Sequence, residues 1–341
     1  MLAQLINITI EAVKLKRQIM DREIRWAIAK SIHTQQFAAF ENKLFHVLTP
    51  FFQKQLNSII KNLTDMSPKS KKDIEEFVSL LFNPYEWDEQ LIDIVLPILA
   101  GAMSDAALAQ YLSVGIDPKK ITKATSASEW LARNSGDLDE FEELMEESGI
   151  STQFATELPL SMKLEITRQL KNTFSQPYWH GINETTSGDA AKFLKEGLAK
   201  GWSTRRIASE ISRMSPGYSI ERATRVARTE IGNALNGARK GALDSIAAEL
   251  GPQIPVKAIW LSVLGPRTRE THAMLHGVPA DAEGMWNLSG ISIPWPSHYS
   301  LPAKDRANCA CTISQEFGMD DAQALQEIGN YQDSVDVFQN Q

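Results

Sequence analysis

Asn308-Cys309-Ala310-Cys311 holds both cysteines of this 341-residue chain, and it closes a stretch that opens with Arg269-Glu270-Thr271-His272-Ala273-Met274-Leu275-His276-Gly277. Two thiols and several imidazoles are thus gathered between positions 272 and 311. Upstream stands Arg222-Ala223-Thr224-Arg225-Val226-Ala227-Arg228-Thr229-Glu230, followed by Asn233 and Asn236. Around it Ile220, Ala223, Ala227, Ile231, Ala234, Ala238 and Ala242 recur every three or four positions. That period predicts a helix from Ile220 to about Leu250, with a stripe of small residues that permits close packing. Arg222, Arg225 and Arg228 fall on a neighbouring face. Glu230 follows Arg228 by two, a spacing at which helix side chains do not meet, so its partner is expected on another element.

Outward toward the N-terminus, helical periodicity dominates. Ile6, Ile10 and Val13, then Phe37, Phe40, Leu44 and Leu48, follow it. Thr64 to Lys72 reads as a polar linker, and Ile74, Phe77 and Leu80 to Phe82 as the next helix, ended by Pro84. Trp87 to Leu99 gives a further apolar stripe that Pro97 interrupts. Short helices are expected over 126–131 and 138–145, a longer one from Pro159 through Leu170, and others over Ala190–Ala199, capped by Ser187-Gly188-Asp189, and Thr204–Met214. Ser215-Pro216-Gly217-Tyr218 reads as a turn. Beyond Gly251-Pro252 the texture changes. Val256 to Val263 is expected as a strand, Arg267 to Leu275 as a helix, Ile291 to Trp295 as an edge strand and Ala310 to Ser314 as a closing strand. The fold class is therefore mainly α, a helical N-terminal region followed by a small α+β C-terminal domain. The expected divisions are 1–62, 73–180, 189–317 and a tail over 318–341.

Composition narrows the function. A net charge of −7 argues against a general nucleic-acid coat, which needs many phosphate-neutralising bases. Charge is uneven, since eight basic residues face three acidic ones between Arg205 and Lys240, and Asp137 to Glu147 carries seven carboxylates. That basic run makes a DNA-binding accessory module an alternative reading. Two cysteines exclude a disulfide scaffold, and one intervening residue makes a bond between them strained. The apolar start lacks a cleavage site for a signal peptide, and Leu91 to Met103 is broken by Asp93 and Pro97, so no membrane role and a cytoplasmic origin are expected.

If the helix bearing His272 continues through His276, the two imidazoles share a face, as in helices that chelate zinc. His298, Cys309 and Cys311 would complete a two-thiolate, imidazole set suited to that ion. The expectation is no obligate cofactor. The cysteines then act as small buried residues with His272 on a backbone carbonyl, and a structural zinc is the alternative. The same cluster suggests a metal- or thiol-dependent hydrolase. However, the residue after His272 is Ala273, where a zinc protease needs its carboxylate base, and no glycine-rich phosphate loop is present.

An Arg-rich helix ending in Arg-Thr-Glu, then His-x-x-Leu-x-Gly, then a terminal Asn-Cys-x-Cys resembles, in that order, the phage Mu F-like family of head-morphogenesis (minor head) proteins, over roughly Asp189 to Phe317. Carried over onto this sequence, the motif residues are Arg222, Arg225, Arg228, Thr229, Glu230, Asn236, His272, Leu275, Gly277, Asn308, Cys309 and Cys311. Ala310 stands where a basic residue is usual, and His276 where an acidic one is common. The resemblance implies a non-enzymatic, low-copy virion component of the capsid interior or portal vertex, assembled in the host cytoplasm. Its implied partners are the portal protein and other capsid or scaffold proteins, with weak contact to packaged DNA.

Overall fold

The computed structural model describes residues 2–65, 82–121, 157–175 and 177–319, with positions 142–143, 146, 323–324 and 326–330; side chains are described from 22 onward. The expected linker after Asp65, most of the helix before Pro84, the short helix over 126–131, most of that over 138–145, and the end of the tail lie outside the described residues. The rest is mainly helical, with short antiparallel strands near the C-terminal end.

Helix α1 (Leu2–Asp65) is a single 64-residue element. It buries Phe40, Leu44, Leu48, Phe52, Ile59 and Leu63 along one stripe, as the helical period predicts. α2 (Tyr85–Val114) ends at Gly115, whose φ of 80° lets its N–H and that of Ile116 return to the carbonyls of Leu112 and Tyr111. Among the described residues α2 is long and apolar enough to cross a membrane by length and composition, yet 61% of that window is buried inside the protein. It packs against α1, α3 (Leu160–Phe174) and the long α5 (Thr204–Leu250), the role of a central core helix. α4 (Pro177–Ala199) completes the helical part.

Two expected breaks are absent. α4 runs straight through Ser187-Gly188-Asp189 instead of beginning there, because Trp179, Ile182 and Leu194 must all bury on one continuous face. That burial exceeds the roughly 1 kcal/mol that each interior glycine loses against alanine. α5 likewise continues through Ser215-Pro216-Gly217-Tyr218, the predicted turn. Ser215 and Ser219 are fully buried, and Gln53 of α1 hydrogen-bonds the Ser215 hydroxyl. Packing along α1 holds the axis through a proline that costs about 3 kcal/mol in an isolated helix.

At the end of α5 the chain turns into β1 (Val256–Leu261), which pairs antiparallel with β4 (Thr312–Phe317) from Val256 opposite Phe317 to Leu261 opposite Thr312. β4 thus starts after the cysteines and not at Ala310 as expected. β2 (Trp286–Leu288) and β3 (Ile291–Ile293) form a hairpin. Ser289 and Gly290 both have positive φ, 55° and 85°, which gives a two-residue turn whose twist suits the strands. Two one-turn helices, α6 (Glu270–Ala273) and α7 (Ala303–Arg306), fill the connections. One apolar cluster runs from Phe40 to Ile328 through the helices and the strands alike.

Gly277 explains the glycine of the His-x-x-Leu-x-Gly segment. Its φ is +78°, and a Cβ there would stand 2.9 Å from the Trp26 ring of α1. Gly277→Ala is expected to lose at least about 1–3 kcal/mol from the left-handed backbone alone. An unchanged denaturant midpoint would mean that residue 277 does not hold a left-handed backbone.

Candidate functional site: the Cys309, Cys311 and His272 cluster

The Asn-Cys-x-Cys backbone is fixed from below by α5. Asn308 sits at φ 56°, a left-handed turn that asparagine tolerates better than most side chains. Its N–H donates to Thr229 Oγ1 at 3.2 Å. Asn236 Nδ2 donates to the Cys311 carbonyl at 2.9 Å. Between them Gly232 lets the Cys309 carbonyl approach, since a Cβ there would lie 3.2 Å from that oxygen. Positions 229, 232 and 236 are spaced by three and four, so one stripe of α5 makes all three contacts. From Cys309 to Cys311 exposure alternates: both cysteines are buried and Ala310 is exposed. Extended backbone therefore points both thiols to the same side.

There they meet His272. Its Nδ1 lies 3.5 Å from Cys309 Sγ and 3.5 Å from Cys311 Sγ. The three residues are 1%, 2% and 4% exposed. Among the described residues Nε2 of the ring meets no hydrogen-bond partner, and the ring's polar contacts there are with the two sulfurs. Ser262, just past β1, braces the group. Its hydroxyl donates to the His272 carbonyl at 2.5 Å and accepts from Trp260 Nε1 at 3.1 Å and from the Cys311 thiol at 3.7 Å. The thiols are not equivalent. The Cys309 thiol is held well below the usual range because Cys311 and His272 hydrogen-bond its thiolate, and the adjacent sulfur and burial push Cys311 well above it.

The other expected ligands go elsewhere. After Ala273 the turn tightens to bonds from Leu275 to His272 and from His276 to Ala273. At three residues per turn, positions 272 and 276 no longer share a face. His276 Nδ1 instead accepts the Ser262 N–H at 3.1 Å, and its ring stands edge-on to Trp26. It pins the serine and is not a fourth ligand. His298 packs against Trp295 and lines a cavity of about 250 Å³ with Asn233 and Tyr299. Among the described residues, the group of three or more His, Cys, Asp or Glu side chains placed to share an ion is His272, Cys309 and Cys311, with one ligand atom of each within 4.8 Å of the others. Nor does His272 bond a backbone carbonyl through its ring, as the packing reading expected. Leu275 packs on the core.

The charged residues of α5 disperse. Glu230, fully buried, accepts from Tyr299 Oη at 2.8 Å and faces Arg306 at 3.7 Å, tying α5 to α7. Arg228 reaches back to Glu41 of α1 at 2.6 Å, Arg222 to the Ile182 carbonyl of α4, and Arg225 to Glu221 on the surface. Only Glu230 of the four points into the C-terminal part. Arg228→Ala, which removes a half-exposed pair, is expected to change stability by about 0–1 kcal/mol. A larger loss in a urea melt would place the Glu41 pair among the buried ones.

Several supporting residues were not legible in the sequence. Ser262, Trp26, Tyr299 and Arg306 carry no local signature. Gly232 could have been found, because Gly232, Gly237 and Gly241 within a helix signal close neighbours.

Residues 189–314 match the family model described as phage Mu protein F like protein, so this segment is a Mu F-like domain. The chain is also 31% identical over 143 residues to the NAD(+)--arginine ADP-ribosyltransferase EFV of Enterococcus faecalis. That match covers 40% of this chain and 28% of the transferase, so the chain spans under a third of that relative's length. No solved structure matches.

Proposed function

We propose that the chain is a minor head protein that acts through protein contacts, without catalysis, in phage head morphogenesis at the portal vertex or capsid interior. The observation that carries this reading is the Mu F-like segment, whose motif residues Thr229, Glu230, Asn236, His272, Cys309 and Cys311 all turn inward. A hydrolase needs its nucleophile and base open to substrate, and these groups are buried. The likeness to the transferase extends over 28% of that protein, which is too little of it to carry its activity over to this chain. Portal and capsid or scaffold proteins are the partners that follow from the reading, as is the division of the chain at 189–317.

Removal of the gene from its phage or prophage tests the role. Heads lacking the protein should lose infectivity or stay incompletely filled, and mass spectrometry should find the protein in purified wild-type particles at low copy. Particles of normal number and infectivity without it would sink the proposal.

DNA contact is minor in this reading. The basic run does not form one face: Arg213 and Arg225 pair on the surface with Glu210 and Glu221, while Arg239 and Lys240 are buried. Binding of duplex DNA is expected at about micromolar Kd or weaker and to vanish steeply with salt. Nanomolar binding in physiological salt would instead favour the DNA-binding module.

A further inference from the structure

We propose that Cys309 Sγ, Cys311 Sγ and His272 Nδ1 form a three-ligand site for one zinc ion, with the fourth position left to a water or small anion. The proposal rests on these side chains and is independent of any role in the phage head.

The spacing is what a tetrahedral ion requires. Zn–S near 2.3 Å and Zn–N near 2.0–2.1 Å at tetrahedral angles put a ligand nitrogen about 3.6 Å from each sulfur. Here one nitrogen stands 3.5 Å from both sulfurs. Equal distances from one nitrogen to both sulfurs are what a single ion shared by the three ligands gives. The donor set is soft and borderline, which favours zinc over magnesium or calcium. Its members come from separate parts of the chain and are brought together by contacts that hold backbone: Thr229 and Asn236 on the cysteine loop, Ser262 on the His272 carbonyl. Such outer supports fix first-ring ligands in metal sites. On binding, two Zn–S bonds and one Zn–N bond form in place of three waters on the ion, and whatever proton the thiols still carry leaves to solvent.

Protein purified without chelator, or dialysed against zinc, should carry one zinc per chain by elemental analysis. Cobalt in its place should give a thiolate-to-cobalt charge-transfer band in the near ultraviolet and tetrahedral bands in the visible. Cys309→Ser, Cys311→Ser and His272→Ala should each abolish stoichiometric metal, whereas His298→Ala should retain it. Ser262→Ala should weaken affinity by about 10–100-fold, as loss of an outer support does. Should the ligand variants fail to fold, the wild-type cobalt spectrum decides. Substoichiometric zinc after dialysis, or a cobalt spectrum without the thiolate band, overturns the site. So does zinc retained undiminished by a Cys309→Ser, Cys311→Ser double variant.

Discussion

Glu230→Ala should destabilise the protein by about 3–5 kcal/mol, the range for removing one partner of a buried charged pair. The carboxylate is fully buried, accepts the Tyr299 hydroxyl and faces the buried guanidinium of Arg306, which itself stacks over the Tyr299 ring. Alanine takes the carboxylate away from a buried guanidinium and a tyrosine hydroxyl that both remain shielded from water. Glu230→Gln should recover part of the loss, because an amide oxygen still accepts from Tyr299. The check is a denaturant series on parent, Glu230→Ala, Glu230→Gln and Arg228→Ala. Glu230→Ala no worse than Arg228→Ala would mean that α5 and α7 are not joined through this carboxylate.

Acid should be the second large perturbation. His33 of α1 is fully buried and its Nδ1 accepts from Arg239 of α5, so burial first, and then the guanidinium, holds its pKa well below the usual 6.5. Burial and Arg306 likewise lower His298 to about 4. The folded protein refuses protons that the unfolded chain accepts below about pH 6.5. Stability is therefore complete above that pH and is lost as pH falls toward the folded values, at up to about 1.4 kcal/mol per pH unit for each group. The partial exposure of His298 reduces its share. His33→Asn should flatten the fall of the urea midpoint between pH 7 and pH 5. Parallel curves for parent and variant would show that some other group governs the acid limb.

Part of this was legible from residue order alone. The three- and four-residue period of α1, α2 and the second half of α5 is a property of local sequence, and burial follows it. The motifs from Arg222 to Cys311 pointed to a Mu F-like domain because their order and spacing are themselves sequence. That Glu230 must look beyond its own helix followed from the geometry of i and i+2 positions. The breaks were misread where propensity and packing disagree. Pro216 and Gly188 are local stop signals, and only burial against α1 and α2 could overrule them. The cluster shows the same division. Sequence supplied five candidate ligands, and an imidazole pair at 272 and 276 would have shared a face had the helix gone on. A tightened turn ending at Gly277, where Trp26 from the far end of the chain leaves no room for a Cβ, turned His276 onto Ser262. Which ligands meet was decided by contacts between separate parts of the chain, from Ser262 on His272 to Trp26 on Gly277, since ligand geometry depends on distance in space and the sequence records only distance along the chain.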